Sequence, residues 1–191
     1  MGRWEPNARE RLVRAAVDLF AEQGYDATTV NEIAERAGGL TKTTFFRHFP
    51  DKREVLFAGQ EIHSRLLADA IGAAPDSATP LTAVAAALDA IAALFTDDRR
   101  DFGARLLTVI AGNSELQERA AFKRAALAEA MTAALGQRGV PDLTASLAAE
   151  LGARAFYQAF EDWCDPANQQ PLADLAHLAL DKLKTAIAAL D

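Results

Sequence analysis

The sequence predicts an all-α fold of about nine helices, with an N-terminal three-helix helix-turn-helix unit joined to a larger helical domain. Three observations carry that expectation. Alanine and leucine, both strong helix formers, recur throughout the 191 residues. The prolines fall between apolar-periodic segments. No stretch sustains the alternation of a half-buried strand.

Taken in order, the first helix spans Asn7 to Gln23, with Leu12, Ala16, Leu19 and Phe20 on one stripe and Gly24 as its stop. Thr29-Val30-Asn31-Glu32 has the form of a capping box and opens a short helix that ends at Gly38-Gly39. Thr41 caps a third short helix, which Pro50 ends. Asp51-Lys52-Arg53-Glu54 is a second capping box and starts a long helix carrying Val55, Ile62 and Leu66. A Pro/Ser/Thr linker at 74–80 comes next, and then helices near 80–97, 101–112, 114–136, 141–163 and 170–190. Ser114 and Gln117 are read as a further capping box. The domains are expected at 1–53 and 54–191.

Half of the residues are apolar, enough for a real core. No apolar run approaches the ~20 residues of a membrane span, and no apolar leader segment is visible near the first residue. One cysteine, Cys164, rules out an internal disulfide and fits a reducing, cytoplasmic setting. The net charge of −7 is unevenly spread. Residues 1–53 hold nine basic and eight acidic side chains, leaving eleven basic and nineteen acidic for the rest. Two electrostatic regimes suggest two tasks.

The segment Gly38–Phe49, GGLTKTTFFRHF, mixes cations with three phenylalanines. A core helix would not carry the charges, and a solvated helix would not carry the rings. Three short helices with a glycine turn before the third make a helix-turn-helix pattern. The last helix of that motif lies in the DNA major groove. Phe45 and Phe49, four apart, share the inward face, while Lys42, Thr43, Thr44 and Arg47 take the outward one. Lysine and arginine donate to guanine O6 and N7, and a threonine methyl packs on thymine. Thr41, His48 and Lys52 are expected near phosphates, and Thr29 and Phe46 complete the candidate DNA-binding set.

Residues Val30–Phe57, VNEIAERAGGLTKTTFFRHFPDKREVLF, resemble the DNA-binding signature of TetR-type one-component regulators, and the whole N-terminal 57 residues fit it. The resemblance rests on Ile33-Ala34, Ala37-Gly38, Thr41, Thr44, Phe46 and His48-Phe49. Two departures stand out. The turn carries two glycines where the family usually has one. Phe46 occupies a position where the family usually has tyrosine, so a phosphate hydrogen bond of about 1 kcal/mol is absent.

The resemblance implies that the C-terminal domain binds a small-molecule effector of unknown identity and forms a homodimer on a double-stranded DNA operator. The usual sign of regulation in the family is repression. Leu/Ala stripes at Leu147, Leu151 and Ala155, and at Leu175, Ala179, Leu183 and Ala186, are candidates for the dimer interface. They serve equally as intramolecular core. The family places its pocket inside the larger domain. There His63, Leu67, Phe95, Phe102, Leu106, Ile110, Phe122, Phe156, Phe160 and Trp163 would form an apolar cavity, with Arg105 as a further polar candidate.

Catalysis finds little support. His48, His63 and His177 lack metal-ligand spacing, no nucleophile-elbow motif is present, and no phosphate-cradling glycine loop occurs. Cys164 lies between acids, which would raise its pKa. Neither a metal nor a cofactor is expected. The alternative class is a helical protein-interaction or small-molecule-binding module without DNA binding, and salt dependence separates the two.

Overall fold

The computed structural model describes residues 8–190, which form nine α-helices and no strand. In chain order these are α1 (Ala8–Gln23), α2 (Val30–Arg36), α3 (Lys42–His48), α4 (Gln60–Ala73), α5 (Pro80–Ala92), α6 (Arg100–Ala111), α7 (Ser114–Gln137), α8 (Asp142–Cys164) and α9 (Leu172–Ala188). Two 3-10 turns, Arg53–Phe57 and Asp97–Arg99, precede α4 and α6. Asn7, expected to open α1, lies outside the described residues.

The chain packs as two compact units. The first contains the described residues through Ala58 together with Phe102–Ala120. The second contains Gly59–Asp101 and the described residues from Ala121 onward.

In the first unit, α1 buries Leu12, Ala16, Leu19 and Phe20 against Ile33 and Ala34 of α2 and Phe45 of α3. Each large apolar side chain so buried contributes roughly 1.5–3 kcal/mol relative to exposure. Phe49, Val55, Leu56, Val109 and Leu116 complete this core. The burial of Val55 and Leu56 puts residues 54–58 in the first unit, past the boundary expected at 53. Arg53 pairs with Asp51 at 3.1 Å and with Glu115 at 3.2 Å, tying the start of α7 to the same unit.

The long helix expected from Asp51 is broken. Of the expected capping box, Asp51 Oδ1 accepts from the Glu54 N–H at 3.0 Å, while the Glu54 carboxylate pairs with Arg119. Asp51 caps a 3-10 turn, however, and α4 begins only at Gln60. Val55 and Leu56 belong to one core and Leu67 and Ile71 to the other. A single straight stripe does not serve both, and Ile62, expected on that stripe, is exposed. The start of α7 also differs from expectation. Asn113, not Ser114, supplies the cap, its Oδ1 accepting from the Leu116 N–H at 3.1 Å, while Gln117 reaches back to the Ala111 carbonyl.

In the second unit, α4 packs on α5, α5 on α8 and α9, and α8 on α9. Small residues line these contacts: Ala83 and Ala87 on α5, Ala145, Ala149, Gly152 and Ala153 on α8, Ala176 and Ala179 on α9. Two arginines close the ends. Arg138 donates to the carbonyls of Ile71, Ala74 and Pro75, capping the end of α4. Arg100 donates to those of Trp163, Asn168 and Gln170 in the α8–α9 connection, and its guanidinium lies 4.9 Å over the Trp163 ring.

Gly152 marks the tightest approach. A Cβ there would lie 2.4 Å from Val84 Cγ1. Gly152→Ala should therefore cost about 1–3 kcal/mol by overpacking, read as a lowered urea midpoint. The Gly152→Ala/Val84→Ala double variant should lose less than the sum of the two single variants, because the clashing methyl is gone.

Candidate nucleic-acid interface

The helix-turn-helix is assembled by local hydrogen bonds that the sequence motif encodes. Thr29 Oγ1 accepts from the Glu32 N–H at 3.3 Å, and Glu32 Oε2 accepts from the Thr29 N–H at 2.7 Å. That is a complete capping box at the head of α2. These bonds to Thr29 hold the Glu32 carboxyl below its ordinary pKa. Thr29 thus serves as a cap. Thr41 does the same for α3, accepting from the Thr44 N–H at 3.1 Å. The two threonine hydroxyls, of Thr41 and Thr44, also meet at 3.0 Å.

The turn between α2 and α3 uses both glycines in the left-handed region, Gly38 at φ 96° and Gly39 at φ 73°. Their N–H groups both donate to the Glu35 carbonyl, at 3.1 and 2.8 Å. Leu40 N–H then closes onto the Ala34 carbonyl at 2.8 Å. The additional glycine is absorbed as one more left-handed residue, and Thr41 still caps α3. The left-handed φ is what favours glycine at position 38, and a Cβ there would in addition displace the end of the Arg11 side chain. That guanidinium donates from Nε to the Ala37 carbonyl at 2.6 Å, pinning the turn to α1.

α3 has the two faces that its composition demands. Phe45 is fully buried and Phe49 nearly so, their rings 5.4 Å apart. Lys42, Thr43 and Arg47 are exposed, and with Phe46 they line one open concavity on the outward side. Thr44 and His48 are half-buried at the margins.

The cations of this unit differ in their partners. Arg14, Arg36, Arg53, Arg105 and Arg119 pair with Glu10, Glu22, Asp51 and Glu115, Asp18, and Glu54, respectively. Lys52, expected at a phosphate, is turned inward. Its Nζ donates to the carbonyls of Tyr25 and Thr28 at 2.7 and 3.0 Å and lies 4.1 Å from the Tyr25 ring centroid. An ammonium held by two carbonyls and a ring face is a structural tether, so this residue leaves the exposed phosphate-contact set. Lys42 and Arg47 have no carboxylate partner among the described residues. The charge available on the outward face of α3 is therefore larger than the unit's near-neutral sum suggests.

The expected effector pocket divides. His63, Phe95, Phe156, Phe160 and Trp163 come together in the second unit, where Leu67 is also buried. Phe95 contacts His63, Phe156, Phe160 and Trp163 with centroids 5.5–5.9 Å apart. Burial lowers the His63 pKa. Phe122 stands largely exposed. Phe102, Leu106 and Ile110 instead pack on the first unit's core, and Arg105 pairs with Asp18 at 2.9 Å. Their apolar stripe on α6 serves helix packing. Sequence reading missed Tyr157, which lies 4.4 Å beneath the Arg124 guanidinium and whose pKa burial raises.

The expected dimer stripes, read equally as intramolecular core, divide by exposure. Ala155, Leu175 and Ala179 are buried within the single chain, where α8 meets α9. Leu151 and Leu183 are half-buried, and Leu147 and Ala186 are exposed. The large apolar side chains left open on these helices are Leu143, Leu147, Leu178 and Ile187, with Leu190 just beyond. Burial, opposed by Arg100 and assisted by Glu161, pushes the Cys164 thiol up to about 11, so desolvation outweighs the flanking acids as the cause. Among the described residues no three His, Cys, Asp or Glu side chains gather as a metal site. Among the same residues, no single helix is long and apolar enough to cross a membrane.

An α2–turn–α3 unit with a cation-bearing outward face defines a helix-turn-helix protein. Residues 12–58 match the family model of bacterial regulatory proteins of the tetR family. It is 39% identical over 83 residues to the HTH-type transcriptional regulator TcmR of Streptomyces glaucescens, covering 44% of this chain and 36% of TcmR. It is 29% identical over 114 residues to the uncharacterized HTH-type regulator YerO of Bacillus subtilis, covering 58% of this chain and 39% of YerO. The chain thus matches well under half the length of these relatives. The fold is similar to the crystal structure of the transcriptional regulator FadR from Bacillus subtilis in complex with stearoyl-CoA. That alignment has a TM-score of 0.61 at 19% identity and covers 90% of this chain and 95% of FadR.

The inward turn of Lys52 can be tested by substitution. Lys52→Met should destabilise the protein by about 1.5–3 kcal/mol, since two carbonyls lose a charged donor, whereas Lys42→Ala should leave the urea midpoint unchanged. A second test uses pH. His63 has a folded-state pKa below its ordinary 6.5. Its contribution to stability is complete above that ordinary value and is lost as pH falls below it, because the unfolded chain takes up the proton first. Urea midpoints should therefore drop between about pH 7 and 5, on either side of the histidine pKa, and His63→Phe should flatten that drop.

Proposed function

We propose that this protein is a homodimeric transcriptional regulator that binds a palindromic DNA operator through α3 and is released from it by a small hydrophobic effector. The observation that carries the reading is the outward face of α3. Lys42 and Arg47, without carboxylate partners among the described residues, stand there beside Thr43 and Phe46. Most other cations of the unit are engaged by carboxylates or carbonyls. Arginine and lysine supply both phosphate neutralisation and guanine contacts.

Dimerisation answers a limit of geometry. One seven-residue helix reads only a few base pairs, and two copies on half-sites ~34–36 Å apart per turn reach useful specificity. The exposed leucines and isoleucine of α8 and α9 support a surface for the second copy. The aromatic group around Phe95 supports an apolar effector. Effector and DNA affinities are then coupled reciprocally, so each ligand weakens the other by the same factor. Repression is the reading taken for the regulatory sign.

Selection of bound fragments from a random DNA pool by the purified protein tests this directly. An inverted-repeat site should be enriched, and its affinity should fall steeply and linearly on a log–log plot as salt rises. Arg47→Ala should weaken binding to that site by about tenfold or more. A pool without enrichment, or binding that ignores salt, overturns the reading.

A further inference from the structure

The outward face of α3 is rich in donors and poor in acceptors. The concavity there is lined by Lys42, Thr43, Phe46 and Arg47. The Thr41 and Thr44 hydroxyls are already engaged with each other. The face therefore presents two cationic donors, one hydroxyl and methyl from Thr43, and one phenyl ring. Its lining carries no carboxylate and no amide side chain.

Each base edge asks for a different partner. Adenine N6 and N7 together call for an asparagine or glutamine, and cytosine N4 calls for a carboxylate. Neither is available. Guanine O6 and N7 accept from arginine or lysine, and thymine offers its C5-methyl to an apolar group.

Phe46 is the unexplained member of this set. Phe46 is 45% exposed, beside the fully buried Phe45. The ring is also held in place. It packs edge-on against Phe45, with centroids 5.5 Å apart and an interplanar angle of 82°. Lys42 Nζ lies 5.9 Å from its centroid. Having no hydroxyl, it cannot hydrogen-bond a phosphate. A fixed apolar ring flanked by cations suits an apolar patch inside an otherwise anionic groove, and in duplex DNA the thymine methyl is that patch.

We propose that Phe46 reads a thymine C5-methyl, so that each operator half-site pairs a thymine for Phe46 with a guanine for Lys42 or Arg47. This rests on the DNA-binding reading above. The test takes the site selected by the full-length protein and replaces its thymines by deoxyuridine one at a time, removing only the methyl. One thymine per half-site should lose about threefold to fivefold in affinity on replacement, the worth of one buried methyl group. In the Phe46→Ala protein the same replacement should have no effect, while Thr43→Val should keep it. A selected site whose thymines all tolerate uracil overturns this inference alone, as does unchanged sensitivity in Phe46→Ala. Failure to select any site overturns this inference and the DNA-binding reading together.

Discussion

Helix ends leave backbone carbonyls without partners, and an all-helical chain of short elements has many of them. In this protein, cationic side chains from distant parts of the sequence answer that need. Arg11 serves the end of α2, Lys52 the loop after α1, Arg138 the end of α4, and Arg100 the connection between α8 and α9. Each bond joins residues at least 24 apart in sequence. A charged donor to a carbonyl is stronger than a neutral one, and it is protected where rings cover the cation, as Tyr25 covers Lys52 and Trp163 covers Arg100. The turns that set the angle of α3, and those that hold the second unit's helices, depend on these bonds.

That constraint also shapes the electrostatics. Charges engaged by carbonyls or in ion pairs do not act on a distant partner as open charges do. Near the helix-turn-helix the net count of cations over anions is close to zero, yet α3 presents two cations to solvent and keeps its carboxylate-free face outward. The arrangement of partners, more than the sum of charges, decides what the surface attracts. The acidic side chains outnumber the basic ones in the remainder of the chain, so the exposed cations of α3 stand out against it.

Small residues govern the second unit in a comparable way. Alanine stripes on α5, α8 and α9 let helix axes approach closely, and Gly152 allows α8 to reach Val84. The same alanines look from sequence like a seam for another chain. Inside the fold they are covered by neighbouring helices, and the larger leucines and isoleucine at the helix margins remain open instead.

Much of the architecture was legible because its causes are local. The capping threonines Thr29 and Thr41, the glycine turn, Phe45 and Phe49 four residues apart, and the Pro50 stop all act within a few residues, and the structure shows each of them. The ordered motif from Val30 to Phe57 carried the resemblance that the match over residues 12–58 repeats, since a long sequence of matched positions is far more specific than composition. What lay beyond the sequence is long-range. The carbonyl partners of Lys52 lie 24 and 27 residues away, and a lysine just after a cation-bearing helix gives no sign in sequence that it faces inward. The break before Gln60 arises because Val55 and Leu67 serve different cores. The α6 stripe of Phe102, Leu106 and Ile110 has the same periodicity whether it lines a pocket or packs a core. Sequence by itself determined the all-helical plan, the caps of α2 and α3 and the chemistry offered by α3, because those depend on neighbours along the chain. Only the tertiary structure decided which cations stay open and which apolar stripes are covered, because that depends on which distant backbone groups and side chains come within bonding distance.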